Sequence, residues 1–221
     1  MSTVKTAELY DLSHSRAGEY LKNTTYPHEA LADIGKWILA IGEGLDAEKF
    51  DHPTPDVWIA KSAKVAPSAS ITGPCIIDED TEVRHCAFIR GNALIGKGAV
   101  VGNSTELKNV ILFDAVQVPH YNYVGDSILG YKAHMGAGSI TSNVKGDKSL
   151  VVIKDGDTRI PTERKKVGAM LGDFAEIGCG CVLNPGTVVG PRTQIYPLTS
   201  VRGVIPADSI CKDSNTVVAK K

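Results

Sequence analysis

Residues 59–107 read IAKSAK VAPSAS ITGPCI IDEDTE VRHCAF IRGNAL IGKGAV VGNSTE L when broken every six residues. Each block opens on an aliphatic side chain, from Ile59, Val65 and Ile71 through Ile77, Val83 and Ile89 to Ile95, Val101 and Leu107. The fifth position of every block is small: Ala63, Ala69, Cys75, Thr81, Ala87, Ala93, Ala99 and Thr105. If about a third of residues were suitable aliphatics, nine in register would arise by chance about once in ten thousand trials or fewer. A period of six is neither the 3.6 of a helix nor the 2 of a half-buried strand. It predicts an all-β solenoid, a parallel β-helix in which each hexad supplies one short strand and a corner. The aliphatic points into a narrow prism, and the small residue sits where the corner leaves no room. Three hexads close one coil of about 18 residues, and coils stack at about 4.8 Å.

Outward from that stretch the phase slips by one residue at Leu112, continues through Val118 and Val124, slips again at Leu129 and reaches Met135. It resumes at Leu171 and runs through Ile177, Leu183, Val189 and Ile195 to Val201. The hexads together predict roughly six to seven coils. The interruption holds LVVIK, then Asp155-Gly156, then TRIP, a pattern for an extruded β-hairpin arm. Before the repeats, Thr25 to Leu45 reads as one amphipathic helix, with Leu31, Ile34, Trp37, Ile38 and Ile41 at helical spacing and Gly42 and Gly44 at its end. A less regular stretch, Thr6 to Lys22, precedes it, and the proline-bearing DAEKFDHPTPD follows as a connection. The expected organisation is a helical amino-terminal region and linker over 1–56, a β-helix over 57–206 with an inserted arm at about 144–168, and a carboxy-terminal tail over 207–221.

Composition agrees with this reading. The chain has 221 residues, of which 39 are Val or Ile against 13 Phe, Trp and Tyr, so a core centred on aromatics is excluded. A net charge of -1 gives no field for wrapping duplex nucleic acid, although a local cationic pocket for a small phosphate is compatible with it. No stretch approaches the ~18 apolar residues of a membrane span, and the opening residues lack the pattern of a secretory signal. Five Cys, an odd number, suggest free thiols in a reducing compartment, and the expected location is the cytoplasm. Cys179-Gly-Cys181 lacks the spacing of a metal pair and reads as packing.

The coil converts spacing into geometry. Arg90 and Lys108 are 18 residues apart with no slip between them, so they should stack on one face about 5 Å apart. Two such cations repel by roughly 1 to 3 kcal/mol at effective dielectrics of 80 to 20, and an anion between them removes the penalty. The alternative is that they diverge into water or are screened by Glu106. His120, among Pro119, Tyr121, Asn122 and Tyr123, reads either as a structural corner or as a general base, because imidazole titrates near neutral pH. No His pairing suits a zinc site, so no metal is expected. Gly136 to Asn143 is Gly-rich but follows no strand-to-helix pattern, which excludes a dinucleotide loop. These residues are either tight corners or a place where backbone N–H groups meet a thioester oxygen.

Arg90, Gly102-Asn103, Glu106-x-Lys108, PHYNYVGD over 119–126 and GAGSITSN over 136–143 together resemble a known family. It is the left-handed β-helix half of the bifunctional N-acetylglucosamine-1-phosphate uridyltransferase/glucosamine-1-phosphate acetyltransferases and of the archaeal sugar-1-phosphate nucleotidyltransferases carrying the same half. The likeness covers about residues 57–206. It implies a left-handed prism, a homotrimer, and acetyl-CoA as co-substrate bound between subunits. On this resemblance His120 is the general base that deprotonates the amino group of the sugar. Arg90 and Lys108 hold its phosphate, Tyr123 contacts the sugar, and His134, standing where the family usually has Asn, completes the substrate-binding set. The backbone at Ala137 takes the thioester oxygen, and Asn143 and Cys179 join it in the cofactor-binding set. The expected activity is an acyl-CoA-dependent N-acyltransferase on an amino sugar phosphate or a nucleotide-linked amino sugar. The family's nucleotidyltransferase half is not present in these residues. A second reading is therefore a non-catalytic sugar-phosphate-binding module that recruits a separate nucleotidyltransferase through its amino-terminal helix. A third is a β-helix metalloenzyme.

Overall fold

The computed structural model describes residues 4–220, and the hexads form the expected left-handed parallel β-helix. Strands inside the prism pair in parallel with the strands one coil before and after them. On the face that begins after the His120 corner, Ile71, Ile89 and Leu107 are Cα partners in turn, and Leu107 then pairs with Val124. Their side chains, with those of Ile77, Ile95, Leu112, Leu129 and Leu171, fill the prism, and all but the partly buried Ile71 are buried. Each buried aliphatic of this kind contributes about 1.5 to 3 kcal/mol.

The two slips are short corners. Glu106–Leu112 and Tyr123–Leu129 run as unbroken seven-residue strands around the prism, turning at Asn109 (φ 56) and Asp126 (φ 48). One coil earlier the same corner uses two residues, Gly91 (φ 89) and Asn92 (φ 48). Asx residues tolerate this left-handed region better than other side chains, which is why one residue can replace two. The insertion at 144–168 leaves from this same corner. Val152–Asp155 pairs with Thr158–Pro161 in an antiparallel hairpin with Gly156 (φ 54) in its turn. The arm lies along its own prism: Val151 and Ile153 are buried, and a Cβ on Gly186 would sit 2.8 Å from Val151 Cγ1.

The ends differ from expectation. Residues 207–221 were expected as a tail, but Ser209–Asp213 adds a further rung, because Cys211 occupies an inward position and is 2% exposed. Thr216–Ala219 then pairs antiparallel on that rung. Within 1–56, Phe50–Thr54 pairs antiparallel on Val57–Ala60 at the other end. Both antiparallel strands cover edges that would otherwise offer unpaired backbone groups. The prism therefore exceeds six to seven coils: among the described residues the second face has nine strands, of which only the last is antiparallel.

The amino-terminal region is likewise not one long helix. Pro27–Ala32 is a 3-10 turn, Asp33 breaks the path (φ -117, ψ 0), and the helix runs over Ile34–Glu43. A continuous helix would bond the Leu31 carbonyl to the amide four residues on. That oxygen instead accepts from Asn109 Nδ2 at 3.1 Å. The helix buries Ile34 and Ile38 against Cys75–Ile77, Ala93–Ile95 and Glu106–Leu112, so its apolar stripe is spent on its own prism. Gly42 permits this approach, since a Cβ there would lie 2.5 Å from the Trp58 ring. Arg16 fastens the region further through two bonds, 2.5 and 2.8 Å, to the buried Asp78.

Candidate functional site

The face that carries Phe88, Arg90, Glu106, Lys108 and Tyr123 lies between the His120 corner and the Asn109/Asp126 corner. Because Ile89 pairs with Leu107, Arg90 and Lys108 stack in register as their spacing implies. Their heads diverge. Arg90 donates to Glu106 Oε1 at 2.6 Å, which holds its guanidinium above the ordinary range, and Lys108 Nζ lies 3.4 Å from both oxygens of Asp126. Each cation has thus acquired a carboxylate.

Asp126 is the hub of the site, and sequence reasoning gave it no role. Its side chain is buried and accepts from Asn109 Nδ2 at 2.9 Å and Asn143 Nδ2 at 2.6 Å as well as facing Lys108. Asn143 also donates to Tyr123 Oη at 3.3 Å. The Tyr123 ring lies across Gly125, where a Cβ would come within 2.5 Å of its hydroxyl oxygen. Burial, and then the Asp126 charge, push the Tyr123 hydroxyl above its usual pKa. Lys108, Tyr123 and Asn143 are therefore joined through one carboxylate. The available signal was the 17-residue spacing of Asn92, Asn109 and Asp126, which marks the short corner.

His120 ends the strand Gln117–His120 and its side chain is exposed. Its backbone is held on two sides: its N–H donates to Asn122 Oδ1 at 3.2 Å, and its carbonyl accepts from Gly138 N at 3.0 Å. Asn122, buried, donates in turn to the carbonyls of Gly136 (2.9 Å) and Ser139 (3.0 Å), fixing the corner to the next coil. Asn122 is a positioning residue that the sequence reading left unassigned. Along the extended chain at about 3.3 Å per residue, the His120 corner and Lys108 stand on the order of 10 Å apart, the length of a sugar phosphate.

The Gly-rich segment divides by function. Gly136 and Gly178 are packing glycines, since Cβ atoms there would lie 2.6 Å from Cys179 N and 2.5 Å from Pro197 N of the following coils. Gly138 is different: it has φ 69 and nothing within 4 Å of a Cβ, so the Ala137-Gly138 corner is open. Ala137 O accepts from Gly180 N at 2.9 Å, and among the described residues no acceptor takes the Ala137 N–H.

His134 lies on the second face, not beside Lys108 and Tyr123. Its Nδ1 pairs with Glu176 Oε2 at 3.0 Å, and it lines a groove of about 360 Å³ together with Gly136, Cys179, Gln194, Tyr196 and Pro197. Cys179 is exposed there, while Cys181 is buried and burial raises its thiol pKa. The structure thus brings Arg90, Lys108, Tyr123 and Asn143 onto one face. It sets His120 and Ala137 at the adjoining corner and His134 and Cys179 in the groove beyond.

The chain is similar to several known proteins. The GMPPB C-terminal domain family matches residues 71–156. The bifunctional protein GlmU of Methanococcus aeolicus is 30% identical over 207 residues, covering 85% of this chain and 48% of that protein. A bifunctional sugar-1-phosphate nucleotidylyltransferase/acetyltransferase of Sulfurisphaera tokodaii is 30% identical over 185 residues, covering 76% of this chain and 43% of that protein. The chain spans about half the length of these curated relatives. Among solved structures, the polySia-specific acetyltransferase NeuO matches 76% of this chain and 88% of its own, with 10% identity and a TM-score of 0.46.

Proposed function

The chain is a hexapeptide-repeat β-helix protein related to the GlmU proteins and the sugar-1-phosphate nucleotidylyltransferase/acetyltransferases, and on that premise we propose that it is an acyl-CoA-dependent N-acyltransferase. Its acceptor is an amino sugar phosphate or a nucleotide-linked amino sugar, and its acyl donor is acetyl-CoA. The observation that carries this reading is the joining of Lys108, Tyr123 and Asn143 through Asp126 on the face that ends at His120.

In this mechanism Lys108 and Arg90 bind the acceptor's phosphate, displacing the long contact from Lys108 to Asp126. Tyr123 and Asn143 orient the sugar. His120 takes a proton from the amine as its nitrogen attacks the thioester carbon. The Ala137 N–H stabilises the oxygen as it becomes an oxyanion, a term worth about 3 to 4 kcal/mol when such a donor is removed. The C–S bond breaks, and the protonated His120 returns its proton to the leaving thiolate. The groove of Gly136, Cys179, Tyr196 and Pro197 continues from Ala137 and offers a mainly apolar trough for the pantetheine of the donor. The helix Ile34–Glu43 lies over the face of Cys75–Ile77 and Ala93–Ile95, and the two other faces are left for neighbours, in keeping with a homotrimer whose site is at the subunit boundary.

The test is release of free CoA thiol from acetyl-CoA with a panel of amino sugar phosphates and nucleotide-linked amino sugars. Turnover is expected with at least one, and His120→Ala should lower kcat by about 100-fold or more without changing the unfolding midpoint. No thiol release with any of the panel, or a His120→Ala rate equal to the native one, removes the reading.

A further inference from the structure

A second cleft, of about 510 Å³, lies where three parts of the chain meet over the Asn92, Asn109, Asp126 corner. One wall is Leu31 and Ala32 of the 3-10 turn, the floor is Lys108 with the three Asx residues, and the other wall is the returning base of the arm, Glu163 to Lys166. The arm is anchored there by the bridge between Val144 and Lys166 and by Gly168 N donating to Asp126 O at 2.8 Å.

The charge of this cleft is out of proportion to the molecule. Lys108, Arg164, Lys165 and Lys166 stand against Asp126 and Glu163, a formal +2 from four cations and two anions, in a chain of net charge -1. Among the described residues Arg164, Lys165 and Lys166 form no ion pair, whereas Arg16, Arg84, Arg90 and Arg192 all do. The Arg164 guanidinium reaches only the Leu31 carbonyl, at 3.5 Å from Nη2, and its buried Nε has no partner. Unpaired cations gathered on one wall, with Lys108 and the Asn92 amide on the floor, are complementary to a ligand bearing anionic oxygens at two places. The volume is that of a small organic ligand rather than of a single ion.

We propose that this cleft binds the diphosphate of a nucleotide-linked amino sugar, with Arg164 and Lys165 on one phosphate and Lys108 and Asn92 on the other. The acceptor is then a diphosphate-linked sugar, not a sugar monophosphate, and the arm is the element that selects it. The identity of the sugar rests on the acyltransferase reading, but the anion site does not.

Isothermal titration of the full chain with sodium pyrophosphate and with sodium phosphate, at matched ionic strength, tests this. Pyrophosphate should bind at least tenfold more tightly than phosphate. The double reversal Lys165→Glu/Lys166→Glu, at exposed positions, should weaken it at least tenfold with an unchanged unfolding midpoint, and Arg164→Gln should do the same. The proposal is overturned if pyrophosphate gives no heat at millimolar concentration, if phosphate binds equally well, or if the double reversal binds as the native protein does. Pyrophosphate binding without thiol release in the acyltransfer assay would keep this site and remove the acyltransferase reading. Thiol release without pyrophosphate binding would do the opposite.

Discussion

The corner leading into the site face carries Cys86, Ser104, Tyr121, Gly138, Gly180 and Leu198 in the left-handed region, whereas the corner leading out of it carries Asn92, Asn109 and Asp126. At the first, backbone bonds close the turn, as from Tyr121 N to Asn103 O and from Leu198 N to Cys179 O, both 2.9 Å. Side chains of any kind project outward, and Leu198 is 85% exposed. At the second, the side chains themselves hold the structure: Asn109 bonds to Leu31 O and Asp126, and Asp126 receives Asn109, Asn143 and Lys108. The left-handed position of a regular corner is therefore indifferent to residue type, while that of the shortened corner is chemically committed and is where the site, the cleft and the arm converge. The strongest challenge to that contrast is Asp126→Ala. It strands a lysine and two amides that share a buried carboxylate, and breaking such a pair costs about 3 to 5 kcal/mol. Lys108 is about a third exposed, so the lower end of that range is expected in urea unfolding. Tyr121→Ala at the opposite corner should stay within about 0.5 kcal/mol. Equal costs would erase the distinction.

Gly125→Ala sharpens the contrast at the next level. The added Cβ meets the Tyr123 hydroxyl oxygen at 2.5 Å, so the ring must leave its place across the strand and release Asn143. Overpacking of this kind costs about 1 to 3 kcal/mol, and the displaced ring should raise KM for the acceptor more than it lowers kcat. A thiol-release assay over a range of acceptor concentrations separates the two. On the third corner Ala115 (φ 57) is held only by its backbone, its N–H donating to Lys97 O at 2.7 Å. Ala115→Gly should raise stability by about 0.5 kcal/mol, since relief of the left-handed strain outweighs the extra freedom of the unfolded chain. Asn109→Gly, with the same backbone change, should instead lower it.

This contrast also explains what could be read from residues alone. The hexads predict prism, corners and stacking because inward aliphatics obey a strict period, and Arg90 above Lys108 follows from counting. The slips at Leu112 and Leu129 were visible as lost residues, but not as left-handed Asx corners that build a carboxylate hub, because Asp126 is defined by partners 17 residues away in both directions. The break at Asp33 was illegible for a related reason. The helical spacing continues through it, and the Asn109 amide, arriving from the prism, takes the carbonyl that the helix needs. The last rung over Ser209–Asp213 departs from the six-residue spacing after Val201, so composition made it resemble a tail.

The smallest expected effect concerns the wall that the 3-10 turn contributes to the committed corner. His28 in that turn is buried, its Nδ1 has no partner, and burial first, with a further contribution from Arg164, lowers its pKa below 6.5, although Glu29 opposes this. Because the folded state resists a proton that the unfolded chain accepts, stability is unaffected well above pH 6.5. It declines as pH falls from there toward the lower folded value. The regular corners carry no such buried imidazole among the described residues, so acid should loosen the turn over Asn109 before it loosens the prism. Hydrogen exchange at pH 7.5 and at pH 5.5 reads this directly as faster exchange of amides within Pro27–Ala32 at the lower pH, after correction for intrinsic rates. His28→Gln should remove the difference, since glutamine has no proton to gain. If the native turn exchanges equally at both pH values, or if His28→Gln keeps the acid response, the wall owes its acid sensitivity to some other group and the corner is less committed than its bonds imply.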